Sequence, residues 1–131
     1  MRREREDGGQ ASVELALVLP LVVIVLLAVV QLGLLVRDQI LVVHAAREAV
    51  REAAVDASAD APRRAALASS TLDGSRLTVS STGRGSAGSR VRVEVTYRAP
   101  TAVPLLGAAV RDLTLRASAT MRVEGSSTGG G

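Results

Sequence analysis

Apolar and polar positions are distributed very unevenly along this chain. Residues 15–36, from Leu15 to Val36, read LALVLPLVVIVLLAVVQLGLLV and carry no charge; only Pro20, Gln31 and Gly33 interrupt the apolar set. At about 1.5 Å per residue, a helix of this length spans roughly 33 Å, enough for a hydrocarbon core of about 30 Å. A soluble helix apolar on every side needs a large protein around it, and the rest of this 131-residue chain is too small to supply one. The run is therefore read as a transmembrane helix. Pro20 removes one backbone donor, and Gln31 and Gly33 are interruptions that a helix in lipid tolerates. A secretory signal peptide is the competing reading. Its apolar region is normally about 7–15 residues, whereas this run is longer and is closed by Arg37 and Asp38, as a stop-transfer flank would be.

Past the run, Ile40, Val43, Ala46, Val50, Ala53 and Ala54 recur at spacings of three and four, which predicts that the helix continues, now amphipathic, to about Val55. Glu48 and Arg51 lie off that stripe as an i,i+3 pair. Residues 56–75 read as a linker with a short helix over 62–70, opened by Pro62, and a turn at Asp73 and Gly74. Period-two alternation then takes over. It predicts strands over 76–81, over 90–98 with Val91, Val93, Val95 and Tyr97 inward, and over 113–123 with Leu113, Leu115, Ala117, Ala119, Met121 and Val123 inward. The glycine- and serine-rich stretch 82–89 joins the first two. Residues 99–112 hold Pro100, Pro104 and Gly107 around Val103, Leu105 and Leu106, and are read as a lid over the small core in preference to an exposed contact loop. Residues 125–131 read as a disordered tail. Three strands are stable only with one face covered, and the amphipathic half of the helix is the natural cover. The fold class is therefore α+β: a long amino-terminal helix, its first half transmembrane, packed on a three-stranded antiparallel sheet spanning residues 76–124.

Composition narrows the function. There is no Cys, one His (His44) and one aromatic residue (Tyr97). Disulfide, zinc-thiolate and thiol-nucleophile chemistry are excluded, and His44 alone does not make a metal site. No convergent acid, base and nucleophile set is present, so an enzyme is not expected, nor a cofactor. The net charge of +3 is concentrated in the carboxyl-terminal half. Single-strand nucleic-acid binding needs stacking platforms, and with one ring in the chain the arginines read as a solvated sheet face; no nucleic acid is expected.

The amino terminus carries the most specific pattern. A short charged leader, MRREREDGG, for which no packed structure is expected, ends at Gly9. Gln10 follows, the fifth residue after Gly9 is Glu14, and the apolar run begins at Leu15. One reading is purely structural: Ser12 caps the helix and Glu14 sits in its first turn, where a carboxylate suits the helix dipole. The other rests on a resemblance. The pattern resembles the class III signal of type IV pilin-like proteins, and GQASVELALVLP at 9–20 is similar to the start of TadE-like proteins, pseudopilins of Tad/Flp pilus systems. So are residues 44–49 (HAAREA), and more loosely 119–124 (ATMRVE).

The resemblance implies a pilin-like plan and cutting by a prepilin peptidase between Gly9 and Gln10. It also implies that Glu14 sets assembly register by neutralising the new amine of a neighbouring subunit. The implied partners are the peptidase, other pilin or pseudopilin subunits, the Tad secretion machinery and the lipid bilayer. The implied place is the cytoplasmic membrane, crossed once. The short leader and long carboxyl-terminal region favour a cytoplasmic amino terminus, with the sheet domain outside. The rival reading is a signal-anchored extracytoplasmic binding protein unrelated to pili.

Overall fold

The computed structural model of the chain describes residues 4–101 and 111–125, with side chains from residue 9 onward. Helix α1 runs unbroken from Glu4–Val55 and helix α2 covers Ala61–Ala68. A single turn at Gly74–Arg76 leads into strands β1 (Leu77–Thr82), β2 (Arg90–Ala99) and β3 (Leu113–Arg122). The three strands form one antiparallel sheet in the order β1-β2-β3, so the α+β plan expected from the sequence is the observed one.

Register follows from burial. Val91, Val93 and Val95 are fully buried and Tyr97 nearly so, while Arg90, Arg92 and Arg98 point to solvent. Burying each valine contributes roughly 1.5–3 kcal/mol, and a slip by one residue would expose all of them. Val95 faces Val79 on one side and Ala117 on the other; Val93 faces Ala119 and Tyr97 faces Leu115. The inward set of β3 lies on the expected face but is less covered than expected. Leu115, Ala117 and Ala119 are half-buried, while Leu113 and Met121 stay exposed, because β3 is an edge strand of the sheet.

The covering face of α1 is the expected one at Ala46, Val50, Ala53 and Ala54 and departs from it at Ile40 and Val43. Val42, Ala45, Ala46, Ala49, Val50, Ala53 and Ala54 are buried against the sheet and α2, whereas Ile40 is 64% exposed and Val43 only half-buried. The buried stripe is mostly alanine. Small side chains let the helix axis approach the valine row closely, so contact is gained by proximity instead of side-chain bulk. The larger Ile40 and Val43 are left on the other side. The Glu48–Arg51 pair is present, with 3.6 Å between Oε2 and Nη1.

Two bonds fix the sheet's direction along the helix. The Gln39 amide donates to the Arg116 carbonyl at one end of β3, and the Glu124 N–H donates to the Ala54 carbonyl at the other. Thus β3 runs alongside α1 in the same sense, away from the apolar run. Strand β1, antiparallel to β2 like β3, runs that way too. The far end of α1 is held by Arg84, from the β1–β2 loop. Its guanidinium donates to the carbonyls of Ala53 and Asp56, supplying the cation that the last turn of α1 lacks. Gly83 allows this loop: its φ is +78°, and a Cβ there would meet the Arg90 carbonyl oxygen at 2.8 Å. Helix α2 is tied down by Arg63, which donates to the carbonyls of Leu77 (2.8 Å) and Gly74 (3.0 Å). The lid assigned to Val103, Leu105 and Leu106 lies outside the described residues, as do residues 126–131 of the tail.

Candidate functional site

The amino-terminal half of α1 carries the candidate site. The backbone is helical from Glu4, so two expectations change. The leader, expected to lack structure, is helical over its described part. Ser12 is an interior helical residue with eight helical residues before it, and so is not an N-cap. Arginine and glutamate are good helix formers, and the cost of Gly8 and Gly9 is spread over a helix continuous on both sides.

Gly9, Gln10 and Glu14 are all exposed on this helix. Gln10 and Glu14 lie four residues apart, about 6 Å of rise, on one face. A Cβ at Gly9 would meet nothing within 4 Å. Among the described residues Glu14 has no ion-pair or hydrogen-bond partner. It is a lone anion one residue before the apolar run.

The run itself is uncovered among the described residues. Leu17 is 73% exposed and Leu32 62% exposed, and none of the most apolar window is buried by the other described residues. Among the described residues this is the one helix long and apolar enough to cross a membrane. Pro20 sits inside it without ending it. Gln31 is half-buried, and Gly33 leaves a notch, since a Cβ there would meet nothing within 4 Å. Water does not tolerate a surface this apolar on a stable monomer, and a bilayer does. The geometry fits a single-pass membrane anchor that reaches to Val36. The sheet domain begins to cover α1 at Leu35, which packs against the core, so the anchor joins the head without a linker. His44 is an exposed helix residue, and among the described residues no group of His, Asp and Glu could hold a metal ion.

Sequence reasoning singled out the amino-terminal positions but missed what holds the rest of the helix in place. Arg84 stands in a loop whose glycines and serines gave no sign of a helix cap. Ala45 and Ala49 could have been found by following alanine, not bulk, at helical spacing. No curated protein and no solved structure matches the chain. Residues 9–51 do match a family model, that of TadE-like protein, and over that stretch, from Gly9 through the alanine-faced part of α1, the chain is similar to that family.

Proposed function

We propose that the chain is a membrane-anchored, pseudopilin-like minor subunit of a Tad/Flp-type pilus assembly system, processed by a prepilin peptidase after Gly9. The observation that carries the reading is a coincidence of position. The TadE-like segment begins at Gly9 and continues through a helix whose apolar surface no other described residue covers. In this reading the amino terminus is cytoplasmic and the sheet domain lies on the outer side of the cytoplasmic membrane.

Cutting between Gly9 and Gln10 removes the charged leader and leaves a new amine at the edge of lipid. Glu14 lies one helical turn deeper. An unpaired charge at that depth is costly, and opposite charges drawn together there relieve it on both groups. A neighbouring subunit displaced by about one turn, roughly 6 Å, brings its amine level with this carboxylate. The pair then specifies register, a role for which buried polar pairs are well suited. The helix supplies the packing surface, Gly33 permits close approach of another helix, and the head meets other parts of the machinery.

The experiment is amino-terminal sequencing and intact mass of the protein from its native membrane. A chain starting at Gln10 is expected. A chain starting at Met1 overturns processing, and one starting near Ala46 would mean ordinary signal-peptide removal.

A further inference from the structure

A groove lies where α1 leaves its apolar run and meets the head. Its volume is about 240 Å³, and its lining includes Leu34, Arg37, Asp38 and Leu41 of α1, with Leu72 and Tyr97 of the head. Leu72 and Tyr97 are themselves 8% and 5% exposed, so they form a fixed wall. Leu34 belongs to the apolar run, while Leu41 lies two turns above it. The helix face leading into the groove is Val23, Leu27, Val30 and Leu34, apolar at spacings of three and four. The groove is thus the upward continuation of a lipid-facing stripe, opening at the depth where hydrocarbon gives way to headgroups. Two charges stand at that depth, Arg37 and Asp38. Among the described residues neither has an ion-pair partner. An adjacent cation and anion match a headgroup that carries both signs, whereas a purely anionic one would face Asp38 at close range.

We propose that this groove seats one zwitterionic, amine-bearing phospholipid of the leaflet beneath the head. Arg37 takes its phosphate, Asp38 takes its ammonium group, and the upper part of an acyl chain lies along Leu34 and Leu41. Arginine suits the phosphate because its fork of donors reaches two oxygens together. Tyr97 places an aromatic wall at the membrane–water boundary, where such rings are favoured. The bound lipid fixes the tilt of the head on the membrane. The inference rests on the membrane-anchor reading.

The test uses the full chain in bilayer nanodiscs containing phosphatidylethanolamine and phosphatidylglycerol. In parallel samples, one or the other carries a photoreactive group high on an acyl chain, and labelled residues are read by mass spectrometry. Val36, exposed on the far side of α1, reports ordinary surrounding lipid. With the ethanolamine probe, labelling at Leu34 and Leu41 should exceed that at Val36 by about threefold to fivefold, the factor one partly screened ion pair supplies. The glycerol probe should show no such excess. Arg37→Gln and Asp38→Asn should each bring it down to the Val36 level. Equal labelling on both sides overturns the site and leaves the anchor standing. A photoreactive residue at position 41 that joins to residues 102–110 instead of lipid gives the groove to the chain itself and also overturns the site. No label anywhere in residues 15–36 overturns the anchor, and the lipid site with it.

Discussion

Helix α1 passes straight through the bond between Gly9 and Gln10. A protease that reads an extended backbone must first unwind this stretch, so helix stability there should control the rate of processing. Gly8→Ala is the cleanest perturbation. It leaves Gly9, the residue before the cut, untouched. Alanine is favoured over glycine in a helix interior by about 1 kcal/mol, because glycine gives up more backbone freedom. Since about 1.4 kcal/mol is a factor of ten, the unwound population should fall about fivefold, and processing should slow by the same factor when the peptidase is not saturated. Glu6→Ala serves as a control. Glutamate and alanine differ by only a few tenths of a kcal/mol in a helix, so that variant should be cut at nearly the parental rate. The assay is a pulse–chase in membranes containing the peptidase, with precursor and mature amino termini quantified by mass spectrometry. If Gly8→Ala is processed as fast as the parent, the helix is no barrier and the argument from α1 fails.

Other predictions concern assembly and the head. Glu14→Ala should be processed normally yet recovered less often with other pilin-like subunits; unchanged co-purification would remove the register argument. Arg84→Met should leave the Ala53 and Asp56 carbonyls without their cation, lowering stability by about 1 kcal/mol and Tm by about 5 °C in a scan of the full chain. Asp56 is held below its ordinary value of 3.8, first by a hydrogen bond from the Ser58 hydroxyl, then by the Ser58 N–H, with smaller help from Arg64 and Arg84. A depressed carboxyl stabilises the fold above its unfolded pKa and loses that contribution as pH falls through the folded one. Head stability should therefore drop below about pH 4, with a smaller drop in Asp56→Asn; identical acid profiles would contradict the assignment.

How far the fold could be read from the chain depended on the size of the residues carrying the signal. Val91, Val93, Val95 and Tyr97 announced their strand and its inward face by strict alternation, and the structure buries all four. The end of α1 at Val55 was equally legible. The covering face of that helix was legible only in part: Ala46, Val50, Ala53 and Ala54 lie on the expected stripe, but Ile40 and Val43 outweigh alanine on any scale of bulk and drew the stripe away from Ala45 and Ala49. Ala45 and Ala49 are buried in their place, small enough to let other elements pack close to the helix. Bulk measures what a side chain gains by leaving water, and says nothing of the distance at which two elements meet. The same limit applies at Arg84, whose role arises only when a loop folds back onto a helix end 31 residues earlier in the chain. At the amino terminus, Gly9, Gln10 and Glu14 were legible as a spacing. That the backbone around them is helical was not, since paired glycines usually mark a break.

The direction of the strands has a further consequence. Because β1 and β3 both run away from the apolar run, two copies rooted in the same bilayer point their open sheet borders the same way. Any seam between such borders would have to be parallel, the slightly weaker of the two ladder types. Joining them antiparallel would require one copy to be turned over, which a shared membrane forbids. The fold thereby disfavours lateral growth of the sheet into a continuous ribbon.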